Sequence, residues 1–112
     1  MELHETCHDG FKTVSVTEAR IDAAAAIRFK DAMRAVTADG PDHVVLDLSN
    51  VDFVDSSGLG AIVAAMKQMG QGRRLDLAGM TPDVAKVFRL TRMDTVFVIH
   101  DRVDGATQRD AG

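Results

Sequence analysis

Apolar residues along this chain follow two rhythms in turn, a period near two and a period near three and a half. Residues 2–7 have weak strand character, and Asp9-Gly10 after them suits a two-residue hairpin of type I′. Phe11-Lys12-Thr13-Val14-Ser15-Val16 alternates and is β-branched, so the first two strands are expected to be antiparallel neighbours. The period then lengthens. Ala25, Phe29, Ala32, Met33 and Val36 recur at helical spacing, which predicts a helix over 22–38 with Asp22 as N-cap and Gly40-Pro41 as its stop. His43-Val44-Val45-Leu46-Asp47-Leu48 is a nearly continuous apolar run, the pattern of a strand covered on both faces. Ser49-Asn50 breaks it, and Val51-Asp52-Phe53-Val54 leads into Asp55-Ser56-Ser57-Gly58. Leu59, Ile62, Val63 and Met66 fall at i, i+3, i+4 and i+7, the clearest amphipathic signal in the chain. They predict a helix over about 57–69, ended by Gly70 and Gly72. Arg74–Ala78 reads as a strand. Thr81-Pro82-Asp83 opens a third helix, with Thr as cap, Pro at its first position and an acid in its first turn; Val84, Val87 and Phe88 form its inner face. Val96-Phe97-Val98-Ile99 is the last predicted strand, and a polar tail from about residue 104 is expected to be mobile.

The order β-β-α-β-α-β-α-β implies βαβ units. The expectation is a single α/β domain, a mixed and mostly parallel sheet with packed helices. Phe29, Met33, Val45, Leu46, Leu48, Leu59, Ile62, Val63, Met66, Leu77, Val87, Phe88 and Phe97 should be largely buried. A length of 112 residues allows one core and not two.

Composition narrows the function classes. Hydrophobic residues make up 46%, which suits a globular chain. The net charge of -4 and the five Phe, without Trp or Tyr, give no basic or stacking surface for nucleic acid and nothing to attract anionic lipid. Arg73-Arg74, the densest basic pair, is expected to be solvated. One cysteine, Cys7, excludes an internal disulfide. The first ten residues hold no apolar stretch of a secretory signal, and no apolar run reaches the roughly 18 residues of a membrane span. A cytoplasmic location is expected.

Chemistry concentrates at the turn after the central strand. In such sheets the carboxyl end of a strand is where ligands and partners are met. Ser56 and Ser57 open a helix there, and hydroxyls at that place can cap its unpaired N–H groups, which would be a purely structural role. Gly58-Leu59-Gly60 lacks the third glycine of a dinucleotide loop, Val63 standing at that position. No Gly-x-Ser-x-Gly occurs, and nothing in the spacing sets His43 or His100 beside Ser56; both are expected at the surface of strand ends. His4, Cys7 and His8 could meet a metal adventitiously, but on a strand Cys7 points away from the two histidines. Leu90 and Met93, expected to be exposed before the final strand, are candidate partner contacts.

Phe53-Val54-Asp55-Ser56-Ser57-Gly58-Leu59-Gly60 resembles the phosphorylation-site motif of STAS-domain anti-sigma-factor antagonists. The resemblance extends over most of the chain. It includes Arg20-Ile21-Asp22 before an alanine-rich helix, the strand His43–Leu48, Lys67-Gln68, the stretch Gly70 to Leu77, Thr81-Pro82-Asp83-Val84 and Phe88-Arg89-Leu90-Thr91. It implies a STAS domain over 1–112 that is not an enzyme and holds no cofactor. Ser56, directly after the aspartate, would be the phosphoacceptor. Asp22, Asp55, Ser56, Ser57, Gly58 and Leu59 would form the partner surface, with no catalytic residue and no metal ligand. The implied partners are an anti-sigma factor with serine-kinase activity, which brings its own ATP and Mg²⁺, and a metal-dependent serine phosphatase. No nucleic acid and no membrane are expected as partners. The unphosphorylated form would bind the kinase and the phosphorylated form would not. The alternative role is that of a STAS subunit clamped on an ABC transporter or a lipid-trafficking ATPase; a scaffold subunit of a stress-sensing assembly is a third. Asp55-Ser56-Ser57-Gly58 favours the switch, since a clamp needs no phosphoacceptor. The family often carries a glycine before its Leu-Asp segment. Here Glu18-Ala19-Arg20-Ile21-Asp22 stands instead, so the turn before the first helix is expected to differ.

Overall fold

The computed structural model describes residues 1–103; the polar tail expected from about residue 104 lies outside them. Strands β1 (Leu3–Cys7) and β2 (Phe11–Val16) are antiparallel, in register from Leu3 opposite Val16 to Cys7 opposite Lys12. The hairpin is as expected but its turn type is not. A type I′ turn needs positive φ at both central residues. Only Gly10 has it (89°), since Arg92 is the sole non-glycine with positive φ among the described residues.

Helix α1 (Ala23–Thr37) follows, then β4 (His43–Asp47), helix α2 (Ser56–Met69), β6 (Arg74–Ala78), helix α3 (Pro82–Leu90) and β7 (Ile99–His100). Two short strands complete the set, β3 (Arg20–Ile21) and β5 (Phe53–Val54). The main sheet has the order β1-β2-β4-β6-β7, parallel except at β1, while β3 and β5 form a separate two-stranded parallel ladder.

The central strand is covered on both faces, as its apolar run predicts. Val44 and Leu46 join the larger core, with Phe29 and Met33 of α1 and Ile62 and Ala65 of α2. Val45 turns the other way, to a small cluster with Phe11 and Ala78 against which Val103 packs. Of the expected core, Phe29, Met33, Val45, Leu46, Leu48, Leu59, Ile62, Leu77, Phe88 and Phe97 are buried. Val63, Met66 and Val87 are only partly buried, packed at its margin.

The end of α1 is closed by side chains from elsewhere. Lys12, itself buried, donates from Nζ to the Val36 carbonyl at 2.8 Å and pairs with Glu5 at 3.2 Å. Arg73 donates to the carbonyls of Thr37 (2.7 Å) and Pro41 (3.1 Å). Those of Val36 and Thr37 are carbonyls a helix end leaves without intrahelical donors, and that of Pro41 belongs to the loop after it. Arg73 is therefore bound to α1 and not simply solvated.

The last strand is shorter than predicted. After α3 the chain turns through Arg92 in the left-handed region (φ 61°) and a 3-10 turn, Met93–Thr95. Phe97 is buried edge-on against Phe88 (centroids 6.1 Å apart, planes at 69°). Ladder bonding begins only at Val98, whose carbonyl accepts from Leu77 N at 3.0 Å. Aromatic packing, not strand pairing, holds Phe97, while Val96 is exposed and donates to the Met93 carbonyl at 3.0 Å.

Of the two histidines expected at strand-end surfaces, His100 is buried and His43 only half-buried. Asp76 on β6 is fully buried, and its Oδ2 lies 2.9 Å from His100 Nε2 and 3.1 Å from His43 Nε2. Arg74 reaches both carboxylate oxygens, Nε to Oδ1 at 2.9 Å and Nη2 to Oδ2 at 3.1 Å. A buried carboxylate needs such partners, which is why His100 is buried and His43 half-buried.

Candidate functional site

The β3–β5 ladder brings residues 20–22 alongside residues 53–55. Arg20 pairs with Phe53 and Ile21 with Val54, and Asp55 N donates to the Ile21 carbonyl (3.4 Å). The backbone amides of Asp52 and Phe53 both donate to the Ala19 carbonyl, at 2.7 and 3.3 Å. Ala19 holds this turn without positive φ, so the expected difference from the family's glycine needs no left-handed residue here.

Each strand of the ladder ends in an aspartate that caps a helix. Asp22 is the N-cap of α1, its Oδ1 accepting from Ala25 N at 3.1 Å. That bond is the largest influence on the Asp22 carboxyl and, with help from Arg20 at 3.4 Å from Oδ2, holds it below its ordinary range against the opposing effect of burial. Asp55 is the N-cap of α2, its Oδ1 accepting from Gly58 N at 2.8 Å. The second Asp55 oxygen, Oδ2, accepts from Ala23 N, the first residue of α1, at 3.1 Å. One carboxylate thus bonds the starts of two helices.

The helix begins one residue earlier than the periodicity suggests, because the cap is Asp55. Capping by the serines is thereby overturned: extended backbone at Asp55 (φ -96°, ψ -175°) aims its short carboxylate back at Gly58 N. Ser56 and Ser57 are the first two helical residues, both exposed, and neither hydroxyl makes a hydrogen bond among the described residues.

Gly58 and Leu59 do not form a surface. A Cβ on Gly58 would lie 1.8 Å from the Ile21 carbonyl oxygen, so only glycine lets α2 approach β3 this closely. Leu59 is 9% exposed and belongs to the core. These two residues support the site from below, because close packing of α2 on β3 turns them inward. The exposed apolar residue beside the serines is Phe53, whose ring lies under the Arg20 guanidinium at 4.2 Å. Sequence reasoning did not single out this stack; an arginine and a phenylalanine each two residues before a capping aspartate was the signal available.

Leu90 and Met93 lie on a different part of the molecule, the end of α3 and the turn after it. Leu90 is 71% exposed, whereas Met93 is half-buried against the core and is not the exposed side chain expected. Among the described residues no group of three His, Cys, Asp or Glu side chains could hold a metal ion, and no helix is long and apolar enough to cross a membrane. His8, one of the three N-terminal candidates, stacks on Phe11 (4.3 Å) and bonds Thr13 Oγ1 (3.1 Å).

The STAS-domain family model matches residues 4–106. Anti-sigma-F factor antagonist RsfB of Mycobacterium tuberculosis is 28% identical over 102 residues, 88% of this chain and 83% of that protein. A STAS-domain containing protein of Pseudomonas aeruginosa is 30% identical over 92 residues, 81% of this chain and 90% of that one. The crystal structure of an anti-sigma factor antagonist from Mycobacterium paratuberculosis superimposes with a TM-score of 0.85 at 30% identity, covering 96% of this chain and 92% of the other. With the mixed sheet, the capped α2 and its exposed serine pair already described, these likenesses place the chain in the STAS family, among relatives that are anti-sigma factor antagonists.

Proposed function

We propose that this domain is a partner-switching antagonist whose Ser56 is phosphorylated by an anti-sigma factor with serine-kinase activity. The observation that carries the reading is the division of labour at the start of α2. Asp55 takes the capping role, which leaves the adjacent Ser56 hydroxyl exposed and without a structural task. A hydroxyl so placed can be modified without dismantling the helix.

In the forward step the Ser56 oxygen attacks the γ-phosphorus of ATP. ADP leaves, and the hydroxyl proton passes to the kinase or to solvent. A phosphatase reverses the step by hydrolysis, restoring the hydroxyl and releasing inorganic phosphate. The nucleotide and metals belong to the partners, and the domain serves as substrate and binding module in the cytoplasm. A phosphate adds about -1.5 to -2 charges. The positive end of α2 accommodates that charge within the domain. A partner packed over the same surface would have to bury it beside the carboxylates of Asp22 and Asp55, with no added cation to pair it. Release therefore follows from local electrostatics.

Incubating the domain with the kinase and ATP, then mapping peptides by mass spectrometry, tests the assignment. One phosphate on Ser56 is expected. A phosphate on Ser57 or Thr81 instead would refute it.

A further inference from the structure

We infer that Asp55 is a positioning residue: by bonding Gly58 N of α2 and Ala23 N of α1 through separate oxygens, it fixes the start of α1 beside Ser56 as one docking surface. The functional half of this inference rests on the proposed role of Ser56; the structural half does not.

Ala23 is the first residue of α1, and an amide at that position has no intrahelical acceptor. The α1 cap does not serve it, since the Asp22 carboxylate bonds Ala25 N instead. Among the described residues the acceptor for Ala23 N is Asp55 Oδ2, from 32 positions along the chain, at 3.1 Å. The other oxygen of the same group is 2.8 Å from Gly58 N. Here each oxygen of one short side chain serves an amide on a different element. Asparagine can cap α2 well with its one oxygen, but its NH₂ group then faces Ala23 N with a donor where an acceptor is needed. A plain N-cap would need only the first bond. The second has no part in starting α2, and its effect is to set α1 relative to Ser56. A partner that covers Ser56 meets the first turn of α1 at the same time.

Two variants break this second bond from opposite ends. Asp55→Asn removes the acceptor and the charge. Ala23→Pro removes the donor and leaves the charge. Proline suits the first position of a helix, and Asp22 before it already has the extended conformation that a following proline favours (φ -111°, ψ -172°). Both variants are therefore expected to fold and to melt near the wild type.

Amide hydrogen exchange by NMR provides the first readout and needs no partner. In Asp55→Asn the Ala23 amide should exchange faster than in wild type, while Gly58 remains protected. Unchanged exchange at Ala23 would overturn the bridge whatever Ser56 does. Phosphorylation kinetics with the serine kinase and ATP provide the second. Each variant should raise KM for the domain by about tenfold while kcat changes little, the pattern of lost docking. The double variant should be no worse than either single one, because both remove the same bond. Unchanged KM in both, or fully multiplying effects, would overturn the positioning role. If wild-type Ser56 accepts no phosphate at all, the proposed function fails, and the exchange experiment still decides whether the bridge exists.

Discussion

At the scale of single residues, the site is organised by two carboxylates and an unoccupied hydroxyl. Because Asp55 caps α2, truncating Ser56 removes no hydrogen bond among the described residues. Ser56→Ala should change stability by less than about 0.5 kcal/mol, as surface substitutions do. Asp55→Ala should cost about 1–2 kcal/mol, since it deletes the cap. Parallel denaturant titrations compare the two, and equal losses would mean that the serine does share the cap. The Asp22 carboxyl supplies a pH signature. Its pKa is lowered in the folded domain, chiefly by the Ala25 amide and then by Arg20. The unfolded chain therefore binds the proton more readily, and the carboxylate stabilises the fold above the ordinary value of 3.8, an advantage lost as pH falls through the lowered one. The difference in melting temperature between wild type and Asp22→Asn should stay flat from about pH 5 to 8 and shift against the wild type only below about pH 4. Melts in a buffer series check this.

Elements with a strong period and a chemically distinct start could be read from the sequence; those made by tertiary contact could not. Helices α1 and α3 begin where Asp22 and Thr81-Pro82 announce them. For α2 the cap is Asp55 and neither of the serines the sequence analysis named, because the choice depends on backbone geometry that residue type does not encode. The β3–β5 ladder is two residues on each side, too short for any alternation to show. Its role became visible only when it brought Asp22 and Asp55 together. The final strand was overestimated because Val96-Phe97-Val98-Ile99 has strand composition, whereas Phe97 is claimed by Phe88. Likewise, nothing in the spacing of His43, Asp76 and His100 foretells their meeting, since three separate strands supply them. Where the period was read correctly, packing predicts the cost of change. Leu59 lies under the site in the main core, so Leu59→Ala should destabilise the domain by about 2–5 kcal/mol. Denaturant unfolding measures it, and a loss below about 1 kcal/mol would mean the cavity collapses or the residue is not core.

At the scale of the whole molecule, the surface that would change on phosphorylation lies on a frame that need not move. Gly58 seats α2 on the Ile21 backbone, Asp55 ties α2 to α1, and the core behind them is apolar and continuous. The proposed switch therefore alters what the surface can bind while leaving the fold intact. Calorimetric titration of the serine kinase with Ser56→Ala and Ser56→Asp, with thermal melts of both variants, tests this most directly. Ser56→Ala should bind as wild type does. Ser56→Asp should bind at least about tenfold more weakly, a loss of about 1.4 kcal/mol, while melting no lower than Ser56→Ala. Wild-type affinity in Ser56→Asp would contradict the electrostatic switch, and weak binding together with a melting point far below that of Ser56→Ala would make the loss structural instead.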